Sequence, residues 1–144
     1  MTRLAYLDSS VALRAALPSE HRIAWRRWMT DTADGSTFVA ARLLQTEMVR
    51  TLRRERIVLA EATKVLSRVR LVAVTPDTFV LAEAVEQTIR TLDALHLAVA
   101  VQIGQALTVL THDSTMRSVA ESMGLTTFDP VGADGAPLPV PDQG

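Results

Sequence analysis

The sequence contains no cysteine. Disulfides, thiolate metal sites and cysteine nucleophiles are therefore excluded, and a reducing compartment is compatible with the absence. Lysine is nearly absent too: of 15 Lys plus Arg residues, only Lys64 is lysine. Arginine offers planar, bidentate contact to phosphate or carboxylate, although codon bias in a GC-rich genome produces the same skew. No run of about 18 uncharged apolar residues exists to cross a bilayer. The N-terminal stretch MTRLAYLDSSVALRAALP is broken by Asp8 and Arg14 and has no small-residue cleavage pattern, so it does not read as a signal peptide. A soluble, cytoplasmic protein is expected. The net charge of −1 rules out a uniformly basic, nucleic-acid-coating surface.

What is present fits one domain. The chain has 144 residues, 48% of them apolar, enough to bury one continuous core. A short apolar run at 4–7 ends in Asp8-Ser9-Ser10 and leads into a helical pattern before Pro18, which reads as strand, turn, helix. Helices are predicted at about 20–32, 42–55, 59–67, 75–90, 93–104 and 113–123, with strands at 37–40, 71–74, 107–110 and 126–128. Thr75-Pro76-Asp77 is a strong helix start, and Gly124 a helix stop. Strands alternating with helices imply a mostly parallel sheet covered on both faces, an α/β protein in three layers. The domain is predicted to span residues 1–131. Residues 132–144, with Pro137, Pro139 and Pro141, are expected to form a flexible tail.

Four acids stand out. In an open parallel sheet, ligands bind beyond the carboxyl ends of the strands. Asp8 follows the first strand directly, and Asp113 follows the 107–110 strand after Thr111-His112. Asp93 opens an almost wholly apolar helix, and Glu47 lies one turn beyond Leu43 and Leu44, beside an apolar stripe. An acid is costly to bury alone, and four together repel one another unless a cation sits between them. Hard oxygen ligands suit Mg²⁺ or Mn²⁺ rather than zinc. Taken singly, Asp8, Asp93 and Asp113 read better as helix N-caps than as ligands, and Glu47 better as a salt-bridge partner of Arg50 or Arg54. The joint pattern favours a metal site. Ser9, Ser10 and Thr111 are placed either to orient the carboxylates or simply to cap turns. His96, three residues after Asp93, either supports the site or packs as a hydrogen-bonded core histidine. Trp25, Trp28 and Met29 at helical spacing are candidates for a partner groove or for core anchors.

The segments YLDSSVAL (6–13), QTEMVR (45–50), LDALHLAVA (92–100) and LTHD (110–113) resemble, in order and spacing, the PIN-domain family and within it the VapC toxins. The resemblance extends over residues 4–128. It implies a three-layer α/β/α fold around a mostly parallel sheet, and an acidic pocket for Mg²⁺ or Mn²⁺. It implies endoribonuclease activity as the toxin of a VapBC pair, a VapB-like antitoxin as partner, and a homodimer. The family's acids fall on Asp8, Glu47, Asp93 and Asp113, with Asp8 and Asp93 as principal metal ligands. Phosphodiester cleavage fits this donor set. It needs an activated water, charge relief on the phosphoryl oxygens and a stabilised leaving group, all of which divalent ions supply. Ends carrying a 5′-phosphate and a 3′-hydroxyl are expected. Arg50, Arg53 and Arg54, on the helix of Glu47, read either as an RNA or antitoxin contact or as a solvated helix end favoured by the macrodipole.

Other classes fit less well. An aspartyl phosphoacceptor centred on Asp8 wants a second aspartate two positions on, where Ser10 stands, or a lysine after a late strand, whereas Lys64 is on another element. A PIN-fold scaffold without catalysis is disfavoured by four intact acids. A DNA nuclease of the same fold is the nearer alternative, because discrimination rests on contacts to the 2′-hydroxyl.

Overall fold

The computed structural model describes residues 3–104 and 106–142. Its elements run β1 (Arg3–Leu7), α1 (Ser9–Ala16), α2 (Arg22–Ala33), β2 (Ser36–Ala41), α3 (Leu43–Arg54), α4 (Ala60–Leu66), β3 (Val69–Val72), α5 (Pro76–Glu83), α6 (Thr91–Ile103), β4 (Leu107–Leu110), α7 (Ser114–Ser122) and β5 (Thr126–Phe128). The five strands form one parallel sheet in the order β3-β2-β1-β4-β5. The chain switches direction of travel across the sheet between β1 and β4. Leu7 pairs with Leu110, so the residues that follow these two strands emerge side by side.

Helices cover both faces, as the alternation of strands and helices predicts. One apolar cluster joins α1 through α4 to one face through Leu7, Val11, Trp25, Phe38, Leu44 and Leu52. The opposite face, carrying Tyr6, Val39 and Val109, packs against Val99 and Ala100 of α6. Helix α6 is apolar around nearly all its circumference because it is covered on several sides, and every residue from Asp93 to Ala100 is buried.

Several boundaries differ from expectation. Strand β3 lies two residues earlier, because Phe38 pairs with Val69 and Ala41 with Val72. Ala73 and Val74 form the connection to α5, whose start at Thr75-Pro76 carries a capping box with Thr78. Helix α5 stops at Glu83 rather than near 90. The β-branched Val85, Thr88 and Ile89 favour helix weakly, and Val85 and Ile89 instead pack onto the cluster of Leu97, Met116, Val119 and Ala120. Helix α6 starts at Thr91, with extended Arg90 as its N-cap, and closes at Gly104 in the left-handed region (φ 67°).

Residues 132–142, expected as flexible from their prolines, make specific contacts across α2. Indole Nε1 of Trp25 donates to the Gly135 carbonyl at 3.0 Å, and that of Trp28 to the Leu138 carbonyl at 2.9 Å. Val131 and Val140 pack on the core cluster, and Arg3 donates to the Pro141 carbonyl at 3.1 Å. Gln143 and Gly144, the end of the expected tail, lie outside the described residues. Trp25, Trp28 and Met29 are buried, with the two indoles edge-on at 5.2 Å, so they serve as core anchors rather than as an open groove.

Candidate active site

The carboxyl edge of β1 and β4 organises the candidate site. Asp8 leaves β1 and is 3% exposed. It occupies the N-cap position of α1, yet its side chain makes no capping bond. Its Oδ2 instead accepts from Ser10 Oγ at 2.6 Å and from Thr111 Oγ1 at 2.8 Å. Both hydroxyl protons are thereby used, and the 3.3 Å approach of Ser10 to Thr111 is a contact between two donors aimed at one oxygen. The bond from Thr111 to Asp8 links the ends of β4 and β1, and the same hydroxyl accepts from the Asp113 backbone N–H at 3.1 Å.

Asp113 does cap its helix: Oδ1 accepts from Met116 N at 3.1 Å. Its other oxygen stands 3.8 Å from Arg90 Nη2. Arg90 Nε donates to Asp93 Oδ2 at 2.9 Å, so one guanidinium serves both acids. Asp93 is in the first turn of α6 rather than at its cap, and its side chain is 9% exposed. Burial pushes its carboxyl above the ordinary aspartate range, the bond from Arg90 draws it partly back, and the charges of Asp8 and Asp113 push it up again.

Glu47, on α3, reaches the edge from the other side of β1. One carboxylate oxygen accepts from Ser9 Oγ at 3.4 Å, and the other is bonded to Nε2 of fully buried His96. His96 Nδ1 faces the Tyr6 hydroxyl at 2.9 Å. Arg50 and Arg54 line a groove of about 520 Å³ with Glu47, Arg90 and Leu92, whereas Arg53 is exposed on α3 outside that lining. Two larger depressions, of about 780 and 620 Å³, lie along α2 and include none of the four acids.

The profile described as PIN domain matches residues 5–122. The chain belongs to the PIN domain family. No curated protein sequence gives a significant match. Among solved structures, the chain resembles VapBC2 from Rickettsia felis bound to a DNA fragment from their promoter, with a TM-score of 0.68 and 12% identity over 88% of this chain and 98% of that one. It resembles VapC20 of Mycobacterium tuberculosis, a sarcin-ricin loop cleaving toxin, with a TM-score of 0.64 and 17% identity over 88% and 99%. FitAB bound to an IR36 DNA fragment aligns with a TM-score of 0.52 and 17% identity over 88% and 94%. At these identities the likeness is one of fold.

Within this PIN domain, two network members have no counterpart among the sequence candidates. Tyr6 alternates with Ala5 and Leu7 along β1, and a buried tyrosine in mid-strand needs a hydroxyl partner, which is the signal that marks it. Arg90 stands three residues before Asp93, a spacing at which side chains meet on a helix. Asp129, directly after β5, also lies at the strand ends but is engaged by His112 Nδ1 at 2.9 Å and by Val131 N. Among the described residues no three acids or histidines stand close enough to share one ion. Arg90 supplies the countercharge instead, while one oxygen of Asp8 and one of Asp113 are held by hydroxyl and backbone donors.

Proposed function

We propose that this PIN domain is a divalent-metal-dependent endoribonuclease, the toxin of a VapBC-type pair, acting in the cytoplasm on RNA. The observation that carries the reading is the network running from Asp8 through Thr111 and Asp113 to Arg90 and Asp93 at the ends of neighbouring strands. The donor set fits Mg²⁺ or Mn²⁺ in kind: carboxylates and hydroxyls, with no sulfur and no free imidazole. Asp8 and Asp93 would be the principal ligands, with Asp113 and Glu47 completing the set. The Arg90 side chain is 79% exposed and able to turn away from Asp93 to make room. A bound divalent ion supplies water activation and relief of phosphoryl charge.

The chain's own residues do the rest. Ser10 and Thr111 hold one oxygen of Asp8, which would leave the other to a metal ion. Ser9 and His96 hold the Glu47 carboxylate from two sides. Arg50 and Arg54 line the groove beside Glu47, where they would follow an RNA backbone as salt-sensitive phosphate contacts. The same acidic pocket and arginine-lined groove suit a VapB-like antitoxin, and VapBC2 is such a complex. A homodimer is part of the same reading.

The test is to incubate the purified protein, free of antitoxin, with total bacterial RNA and MgCl₂, alongside EDTA and Asp8→Ala controls, and to sequence the ends. Discrete cuts with 5′-phosphate ends, lost in both controls, support the reading. Ends carrying a 2′,3′-cyclic phosphate would exclude an external water as nucleophile. Cleavage of DNA alone would reassign the substrate, and no cleavage by folded protein would leave a binding scaffold.

A further inference from the structure

Behind Glu47 lies a chain of buried polar groups with a direction. Tyr6 and His96 are both 0% exposed. The Tyr6 hydroxyl oxygen accepts the Ala41 backbone N–H at 3.1 Å, at the end of β2. Its single proton then has one acceptor within reach, His96 Nδ1 at 2.9 Å. A ring nitrogen that accepts carries no proton, so the neutral imidazole must carry its proton on Nε2, which points at Glu47. The opposite assignment, with the proton on Nδ1, would leave the buried Tyr6 proton without a partner and turn an imidazole lone pair on a carboxylate. Only one ordering satisfies every group, and neither side chain is among the buried atoms without a partner. Burial also pushes the Tyr6 hydroxyl well above the usual tyrosine range, keeping it a donor.

We infer that Tyr6 and His96 are positioning residues: Tyr6 selects the Nε2–H tautomer of His96, which in turn holds the Glu47 carboxylate in the groove that it lines with Arg50, Arg54 and Arg90. Neither touches substrate. Both ring nitrogens are engaged, which removes His96 from the set of ligands. The need for such a device follows from the location of Glu47. Its helix also carries Arg50 and Arg54 along the same groove, with Arg90 opposite. Glu47 thus shares a groove with three guanidiniums, and the buried imidazole on its other side is the partner that fixes its carboxylate. Outer partners of this kind commonly tune metal affinity by about 10- to 100-fold.

This inference rests on the proposed metal site for its consequence, but not for its geometry, and the experiment separates the two. Two-bond ¹H–¹⁵N correlation spectra of the metal-free full chain at pH 7.5 report the His96 tautomer without metal or substrate. The expected spectrum has a bare Nδ1 and a protonated Nε2, and Tyr6→Phe should broaden it or mix the tautomers. A proton on Nδ1 in the wild type overturns the relay. Manganese binding followed by electron paramagnetic resonance should weaken about tenfold in Tyr6→Phe. His96→Gln, whose amide can still donate to Glu47, should lose less than His96→Leu. Equal losses in the two His96 variants, or unchanged Mn²⁺ affinity in folded Tyr6→Phe, would also overturn it. If the wild type binds no Mn²⁺ at all, the functional reading fails while the ring spectrum still judges the relay.

Discussion

Arg90 donates from Nε to Asp93 Oδ2 at 2.9 Å and holds Nη2 3.8 Å from Asp113 Oδ2, so a residue at the N-cap of α6 is the counter-ion of two acids on different elements. A divalent ion bound by these acids would compete with that guanidinium for them.

Removing it should therefore favour metal. Arg90→Ala is expected to tighten Mn²⁺ binding about two- to fivefold at low salt, the equivalent of roughly 0.4–1 kcal/mol for an exposed, solvent-screened pair. Isothermal titration of the two proteins measures it. Weaker binding in the variant would mean that Arg90 organises the acids instead of competing for them.

Asp93 contributes a pH dependence of definite sign. Its folded-state pKa lies above the ordinary aspartate range because burial disfavours the charged form. The folded protein thus holds this proton more tightly than the unfolded chain, and the associated stability is lost as pH rises through the folded pKa. Asp93→Asn should raise the Tm in EDTA at pH 7, and the gain should vanish below about pH 3.8. A lower Tm at pH 7 would show that the bond from Arg90 outweighs the cost of burial.

Thr111 connects Asp8 to Asp113 through one hydroxyl. Thr111→Val keeps the shape but removes a donor to Asp8 and an acceptor for Asp113 N, at a cost of about 1–2 kcal/mol. Metal-dependent cleavage should fall by about tenfold or more, whereas Thr111→Ser should retain most of it. Cleavage rates and thermal melts of the three proteins decide whether the hydroxyl orients the site or only caps a turn.

Truncation after Asp129 should be costly for a segment that composition marks as a tail. It removes the acceptors of the Trp25 and Trp28 indoles and the packing of Val131 and Val140. About 3 kcal/mol is expected, a Tm loss on the order of 10 °C for a domain of this size. An unchanged melt would mean that the segment is not docked in solution.

Much of the architecture is local and therefore legible in sequence. Apolar runs of strand length, Thr75-Pro76 at a helix start, and Gly104 and Gly124 at helix ends each act over a few residues. The boundaries that moved did so for non-local reasons. Pairing with β2 sets the register of β3, and burial of Val85 and Ile89 against α6 and α7 ends the regular helix before them. The uniform apolarity of α6 also marks it as buried without revealing which neighbours bury it.

The candidate site divides in the same way. Asp8 and Asp113 are visible in the sequence as acids just beyond apolar strands, because a parallel sheet sends every such residue to one edge. Their proximity is not visible, since β1 and β4 are neighbours only through the order of the sheet. Tyr6 and His96 are 90 positions apart, and the tail reaches Trp25 and Trp28 across 110. Element types, the parallel sheet and the edge on which the acids emerge are all readable along the chain, because periodicity and strand ends are properties of short segments. The tertiary structure alone decided that Arg90 pairs the acids, that Tyr6 orders the His96 proton and that the proline-rich segment docks, because hydrogen-bond direction and counter-ion choice depend on groups brought together only when the sheet and its helices close.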